Sequence, residues 1–181
     1  MFVSKIPFFV TISHHVKFGT AEMLQNQQSK TKLRAIKQVK SVYMKRGFKI
    51  STLLMDGQFE SIRDDLAGMQ INLNTVSNDE HVPEVERYIC TIKERACCVY
   101  DTLPFRRIPA RMIIEMVYHS VFWLNSFPAE DGISPKLSPC AIVIGTLIDY
   151  NKRCKTEFGT YVQVHEEHEN YMATRTTGAI A

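Results

Sequence analysis

Short β-like runs and helical stripes follow one another along the chain in an order that outlines its architecture. Phe8-Phe9-Val10-Thr11-Ile12 is rich in aromatic and β-branched residues, and a shorter apolar stretch from Met1 to Val3 precedes it across a turn expected at Pro7. These two are expected to pair as adjacent strands, with a third strand that includes Phe18. Leu33, Ile36, Val39 and Tyr43 then recur on one face of a helix for which Gly47 suits the carboxyl cap. Its opposite face carries Lys30, Arg34, Lys37 and Lys45, which reads either as a solvated face or as a stripe contacting phosphates.

Ile50 to Met55 is a short apolar run that stops at Asp56-Gly57, the pattern of a buried strand ending in a turn. A short helix over Phe59 to Leu66 and a strand over Ile71 to Val76 follow. Pro83 suits a first helical turn, and Val85, Ile89, Ile92, Ala96, Val99 and Leu103 advance in steps of four and three, predicting a long amphipathic helix. After Pro104 and Pro109, Met112 to Phe127 is apolar on nearly every side, as in a helix packed deeply with Trp123 in the core. Beyond Pro128 the chain turns to Pro, Gly and Ser, with a small helix at Ala141 to Ile144 and a strand at Phe158 to Val162. Residues from Glu166 to Ala181 read as a polar, loosely ordered tail.

An antiparallel start followed by helical crossovers implies a layered α/β fold, and 181 residues suffice for one principal core. The expected division is a core over 1–128 and a carboxy-terminal extension with a polar tail over 129–181. No uninterrupted apolar run approaches a membrane span, and Lys5 and Pro7 break the amino-terminal apolar stretch, so neither a membrane anchor nor a secretion signal is expected. A net charge of +3 permits a nucleic-acid partner without identifying one. Five cysteines, including the adjacent Cys97 and Cys98, lack the spacing of a disulfide framework or zinc site and are expected as reduced thiols inside a cell. His14 and His15 are expected to flank a strand turn, and His165 and His168 lack the spacing of a zinc-protease helix.

Asp56 at a strand end and Glu86 in the first turns of a helix are hard carboxylates of the kind that hold magnesium or manganese in phosphoryl transfer. Taken alone, they are equally an ordinary turn aspartate and an ordinary helix-start acid. The run Leu53-Leu54-Met55-Asp56-Gly57-Gln58-Phe59-Glu60, followed by Pro83-Glu84-Val85-Glu86-Arg87 and Thr91-Ile92, resembles copia-type retrotransposon integrases. Trp123-Leu124-Asn125-Ser126-Phe127-Pro128, Ser138-Pro139, Gly145 and Phe158-Gly159 continue the likeness in family order.

The resemblance implies a ribonuclease-H-like three-layer fold, with a mixed sheet flanked by helices and antiparallel amino-terminal strands. It implies strand transfer of element DNA into target DNA, Mg2+ or Mn2+ held by Asp56 and Glu86 as the second and third acids of a triad, and a possible homo-oligomer in the nucleus or a cytoplasmic retroelement particle. Two departures qualify it. The family's first aspartate lies on the first strand, yet Asp56 is the earliest aspartate here; the only earlier acid, Glu22, follows the expected third strand and does not substitute. The helix face of Glu86 continues with Cys90, Lys93 and Cys97, where the resemblance leads us to expect a basic residue at Cys90. Lys93 is the candidate phosphate contact. The interval between the two acids is shorter than in the family, which points to a trimmed loop near Asn78 to Glu80. The expected function is therefore an integrase core fragment defective in catalysis, against a nucleic-acid-binding or interaction module that kept only the fold, or an unrelated structural α/β protein.

Overall fold

The computed structural model describes residues 1–76, 83–165 and 176–181. Strands β1 (Phe2–Val3), β2 (Ile6–Ile12) and β3 (Gly19–Met23) form an antiparallel sheet in that order. Helix α1 (Ser29–Met44) leads to β4 (Thr52–Asp56), a 3-10 turn (Gly57–Ile62), α2 (Arg63–Gly68) and β5 (Asn72–Val76), which lies parallel to β4. The long helices α3 (Pro83–Thr102) and α4 (Ala110–Ser126) follow, then the short α5 (Pro139–Val143) and α6 (Tyr150–Arg153) and the antiparallel pair β6 (Tyr161–His165) and β7 (Thr176–Ile180).

Alternation along β2 explains the layering. Phe9 points into a core with Ile36, Val39 and Tyr43 of α1, while its neighbour Phe8 points into a second core with Tyr88 and Ile92 of α3 and Val117 and Val121 of α4. A single strand thus supplies both faces, with α1 on one and α3 and α4 on the other. The α1 core also takes Met55 of β4, Leu73 of β5, and Ile62 and Leu66 from the turn and helix between them. Full burial of a side chain such as Ile92 is worth about 2–3 kcal/mol.

The expected stripes of α1 and α3 are present: Ile36, Val39 and Tyr43 are buried, as are Ile92, Ala96 and Leu103. Lys30, Arg34, Lys37 and Lys45 lie exposed on the opposite side of α1. Gly47 takes φ +79° just beyond that helix, a conformation in which a β-carbon would be strained.

Several expectations change. The first hairpin turns at Ser4-Lys5, both with positive φ (46° and 68°), in a two-residue loop matched to strand twist, and Pro7 sits within β2. Its missing N–H costs no ladder bond there, because the β2–β3 register begins at Phe8 and Pro7 only accepts a hydrogen bond from the Leu24 N–H. Phe18 precedes β3 rather than belonging to it, and β6 starts at Tyr161 rather than Phe158. Within the stretch expected as a loose tail, 176–180 is ordered and pairs with β6. Among the described residues β2 and β4 share no ladder, so the sheet expected as one mixed layer is divided at that seam. The loop near Asn78 to Glu80 and His168 lie outside the described residues.

Candidate functional site

The antiparallel sheet is fixed to α4 by a buried amide. The Gly19 N–H donates to Asn125 Oδ1 at 2.9 Å and the Asn125 Nδ2 donates to the Gly19 carbonyl at 2.7 Å, so one side chain completes both backbone groups at the start of β3. Gly19 is required for a second reason. A β-carbon there would lie 2.0 Å from the Tyr88 hydroxyl, which is buried without a hydrogen-bond partner among the described residues. Burial pushes the Tyr88 hydroxyl far above the ordinary tyrosine range, reinforced by Tyr43.

On the other side of β2 a cavity of about 590 Å³ opens between β2 and β4, bordered by Val39 and Tyr43 of α1 and by Glu84, Val85 and Ile89 of α3. Asp56, at the carboxyl end of β4, borders it together with the first turn of α3. Asp56 is exposed and accepts a 3.4 Å hydrogen bond from Gln58 Nε2. Glu86 is exposed in the same first turn as Glu84. Lys93 is exposed two helical turns further along α3. The Met1 ammonium has its pKa lowered by burial and then by the charge of Lys93, with Asp56 acting in the opposite sense, so both side chains lie within electrostatic reach of one amino group.

Glu84, which the sequence did not single out, is the acid that carries tertiary bonds. Its Oε1 accepts from Lys17 Nζ at 2.5 Å and its Oε2 lies 2.8 Å from His14 Nδ1, tying the β2–β3 loop to α3. Burial would raise its pKa, but these two partners outweigh that and hold it below the ordinary value. No local signal could have revealed this, because the partners lie 70 and 67 residues away. Glu22 lies on β3, where burial raises its carboxyl pKa, and it does not border the cavity.

Trp123 belongs less to the core than expected. It stacks on Phe127 and Tyr150 at centroid distances of 6.1 and 6.5 Å in a partly exposed aromatic cluster. Cys90, Cys97 and Cys98 are exposed free thiols, and Cys140 is buried. His165 ends β6 on the surface.

Solved structures share this arrangement of elements. The catalytic core domain of HTLV-2 integrase, in complex with magnesium in a trimeric form, superposes with a TM-score of 0.57 at 14% identity, covering 78% of this chain and 88% of that one. The BIV integrase catalytic core domain superposes with a TM-score of 0.50 at 13% identity, covering 84% and 91%. The fold is ribonuclease-H-like. It is the integrase-core version of that fold, with the antiparallel amino-terminal strands that the sequence led us to expect. No protein-family model matches the sequence, and no curated protein does.

The residues present do not fit a two-ion centre. Two ions held a few ångströms apart need several carboxylates, yet among the described residues no three His, Cys, Asp or Glu side chains gather where they could hold a metal. Among the described residues no helix is long and apolar enough to cross a membrane.

Proposed function

We propose that the chain is the catalytic-core portion of a copia-type retrotransposon integrase, with Asp56 and Glu86 as the surviving acids of its triad and no strand-transfer activity of its own. The observation that carries this reading is that Asp56 at the end of β4 lines a cavity whose wall also includes Glu84 and Val85 in the first turn of α3, the turn that bears Glu86, although Glu86 itself does not line it. Support for the family comes from the motif order in the sequence together with the integrase-core fold. On this reading the partner is DNA, at element ends and target, and the chain self-associates. Magnesium or manganese would require an acid that the described residues do not supply.

What remains to the chain is contact with the phosphate backbone, and Lys93 is the residue to test. It is exposed on the helix face that follows Glu86, where a cation meets phosphates and reads no base sequence. Titration of labelled duplex DNA at several salt concentrations should give salt-sensitive binding. Lys93→Ala should weaken it similarly across sequences and lower the salt slope by about one ion. An unchanged slope would remove Lys93 from the interface, and no binding at low salt would remove nucleic acid as the partner.

A further inference from the structure

Charge is distributed unevenly along the chain. Residues 23–55 hold eight lysines and arginines and no aspartate or glutamate, whereas the remaining 14 cations (22 − 8) are outnumbered by the 19 acids. The positive balance of the protein therefore comes from α1 and its flanks. Within that segment the structure sorts the cations into two sets. Lys32 Nζ lies 4.5 Å over the Phe59 ring and donates to the Gln58 carbonyl, Lys40 Nζ donates to the Met69 carbonyl, and Arg46 Nη1 donates to the Ala141 carbonyl. Lys30, Arg34, Lys37 and Lys45 are exposed and, among the described residues, form no ion pair with a carboxylate. Helical geometry sets these four within about 80° of the circumference and along about 22 Å, with the exposed Ser41 between Lys37 and Lys45.

A solvated helix face ordinarily interleaves the two signs, and elsewhere in this protein Arg63 pairs with Glu60, Arg111 with Glu115 and Lys152 with Asp149 within about one helical turn. On α1 the neighbours repel instead, since Lys30 faces Arg34 four residues on and Arg34 faces Lys37 three residues on. The first turn adds to this repulsion. It carries no acid, and Gln28 at the cap makes no side-chain hydrogen bond, which leaves Lys30 at the positive end of the helix dipole. A polyanion laid along the stripe relieves the repulsion. We propose that the outward face of α1 is a docking surface for the sugar-phosphate backbone of duplex DNA, with Lys30, Arg34, Lys37 and Lys45 each meeting a phosphate. A duplex presents one negative charge per about 1.7 Å of axis, dense enough to supply a phosphate to every cation of the stripe. The face has no exposed aromatic ring on which unpaired bases could stack and, Met44 apart, no exposed large apolar side chain to enter a lipid surface. Phosphate contacts carry no base information, so the docking is independent of sequence. This inference rests on the reading of DNA as the partner but not on Lys93, which belongs to α3 on the other face of β2.

The test is titration of a labelled duplex of about 20 base pairs with the whole chain at several salt concentrations, followed by fluorescence anisotropy. A variant combining Lys30→Gln, Arg34→Gln, Lys37→Gln and Lys45→Gln is compared with one combining Arg106→Gln, Arg107→Gln, Arg111→Gln and Lys155→Gln, all exposed and outside α1. Both lose the same charge, so net charge cannot distinguish them. The α1 variant should bind about tenfold or more weakly at low salt, with a salt slope smaller by about three to four, and each single change should lower the slope by about one. The second variant should keep the wild-type slope. Thermal melts of both should stay cooperative and close to wild type, because every substituted side chain is exposed. An α1 variant that binds like wild type would overturn the proposal, as would an equal loss in both variants, which would reduce the effect to net charge; DNA as the partner survives either result. Tighter binding of polyglutamate, or of phosphatidylcholine vesicles with about one-third phosphatidylserine, than of the duplex would assign the face to another partner and overturn it too. No duplex binding by the wild type at low salt would remove both this surface and DNA as the partner.

Discussion

The two sides of β2 are held by different physics. Toward β3 and α4, the strand sits in a complete antiparallel ladder, and the sheet is locked to the helix by neutral, buried hydrogen bonds between Asn125 and Gly19. Toward β4, no ladder forms among the described residues and the strands meet through the apolar α1 core, while at the rim of the cavity Glu84 of α3 bonds to Lys17 and His14 of the β2–β3 loop. Buried neutral bonds are insensitive to salt and pH, whereas rim ion pairs respond to both. Rigidity should therefore concentrate on the α4 side and adaptability at the seam, which Asp56 borders.

Asn125→Ala should have the largest effect on that difference. It strands two buried backbone groups, each costing about 1–3 kcal/mol, so urea unfolding should show a loss of about 3 kcal/mol with little dependence on pH. A loss below about 1 kcal/mol would mean that water replaces the amide and the clamp is not what fixes this side. Tyr88→Phe tests the same interface in the opposite direction. Its hydroxyl is buried without a partner among the described residues, so its removal should stabilise by about 1 kcal/mol; destabilisation would show that the oxygen is satisfied in solution.

Glu84→Gln should have a smaller effect and the opposite signature. The folded carboxyl is held below its ordinary value of 4.5, so its contribution is fully present above that value and is lost as pH falls through the folded pKa. Wild type and variant should differ by well under about 1 kcal/mol at neutral pH, because solvent still reaches the pair at the rim, and should converge in acid and in high salt. A difference that persists at acid pH would assign the role to packing.

Legibility in the sequence follows the range of the interactions. The stripe of α3 was readable because helical periodicity is local, although Tyr88 escaped it, a polar-tipped residue that is nonetheless buried. The Ser4-Lys5 turn was not readable, since neither residue is the Gly or Asn that normally marks positive φ. The β6–β7 pairing joins segments across an intervening stretch, and the divided sheet depends on strands brought together from distant parts of the chain; neither leaves a local pattern. Asp56 and Glu86 were singled out through motif order rather than chemistry, because an aspartate in a turn and a glutamate at a helix start are ordinary by themselves. Glu84, which bonds across the fold, had no signal at all.

An integrase-core fold that engages DNA without the acids for strand transfer is tested most directly with purified protein, labelled DNA ends, a supercoiled target and either Mg2+ or Mn2+. Salt-sensitive binding is expected, with no strand-transfer product above the level of Asp56→Asn. Robust magnesium-dependent joining by the 181-residue chain, abolished by Asp56→Asn and by Glu86→Gln, would contradict it.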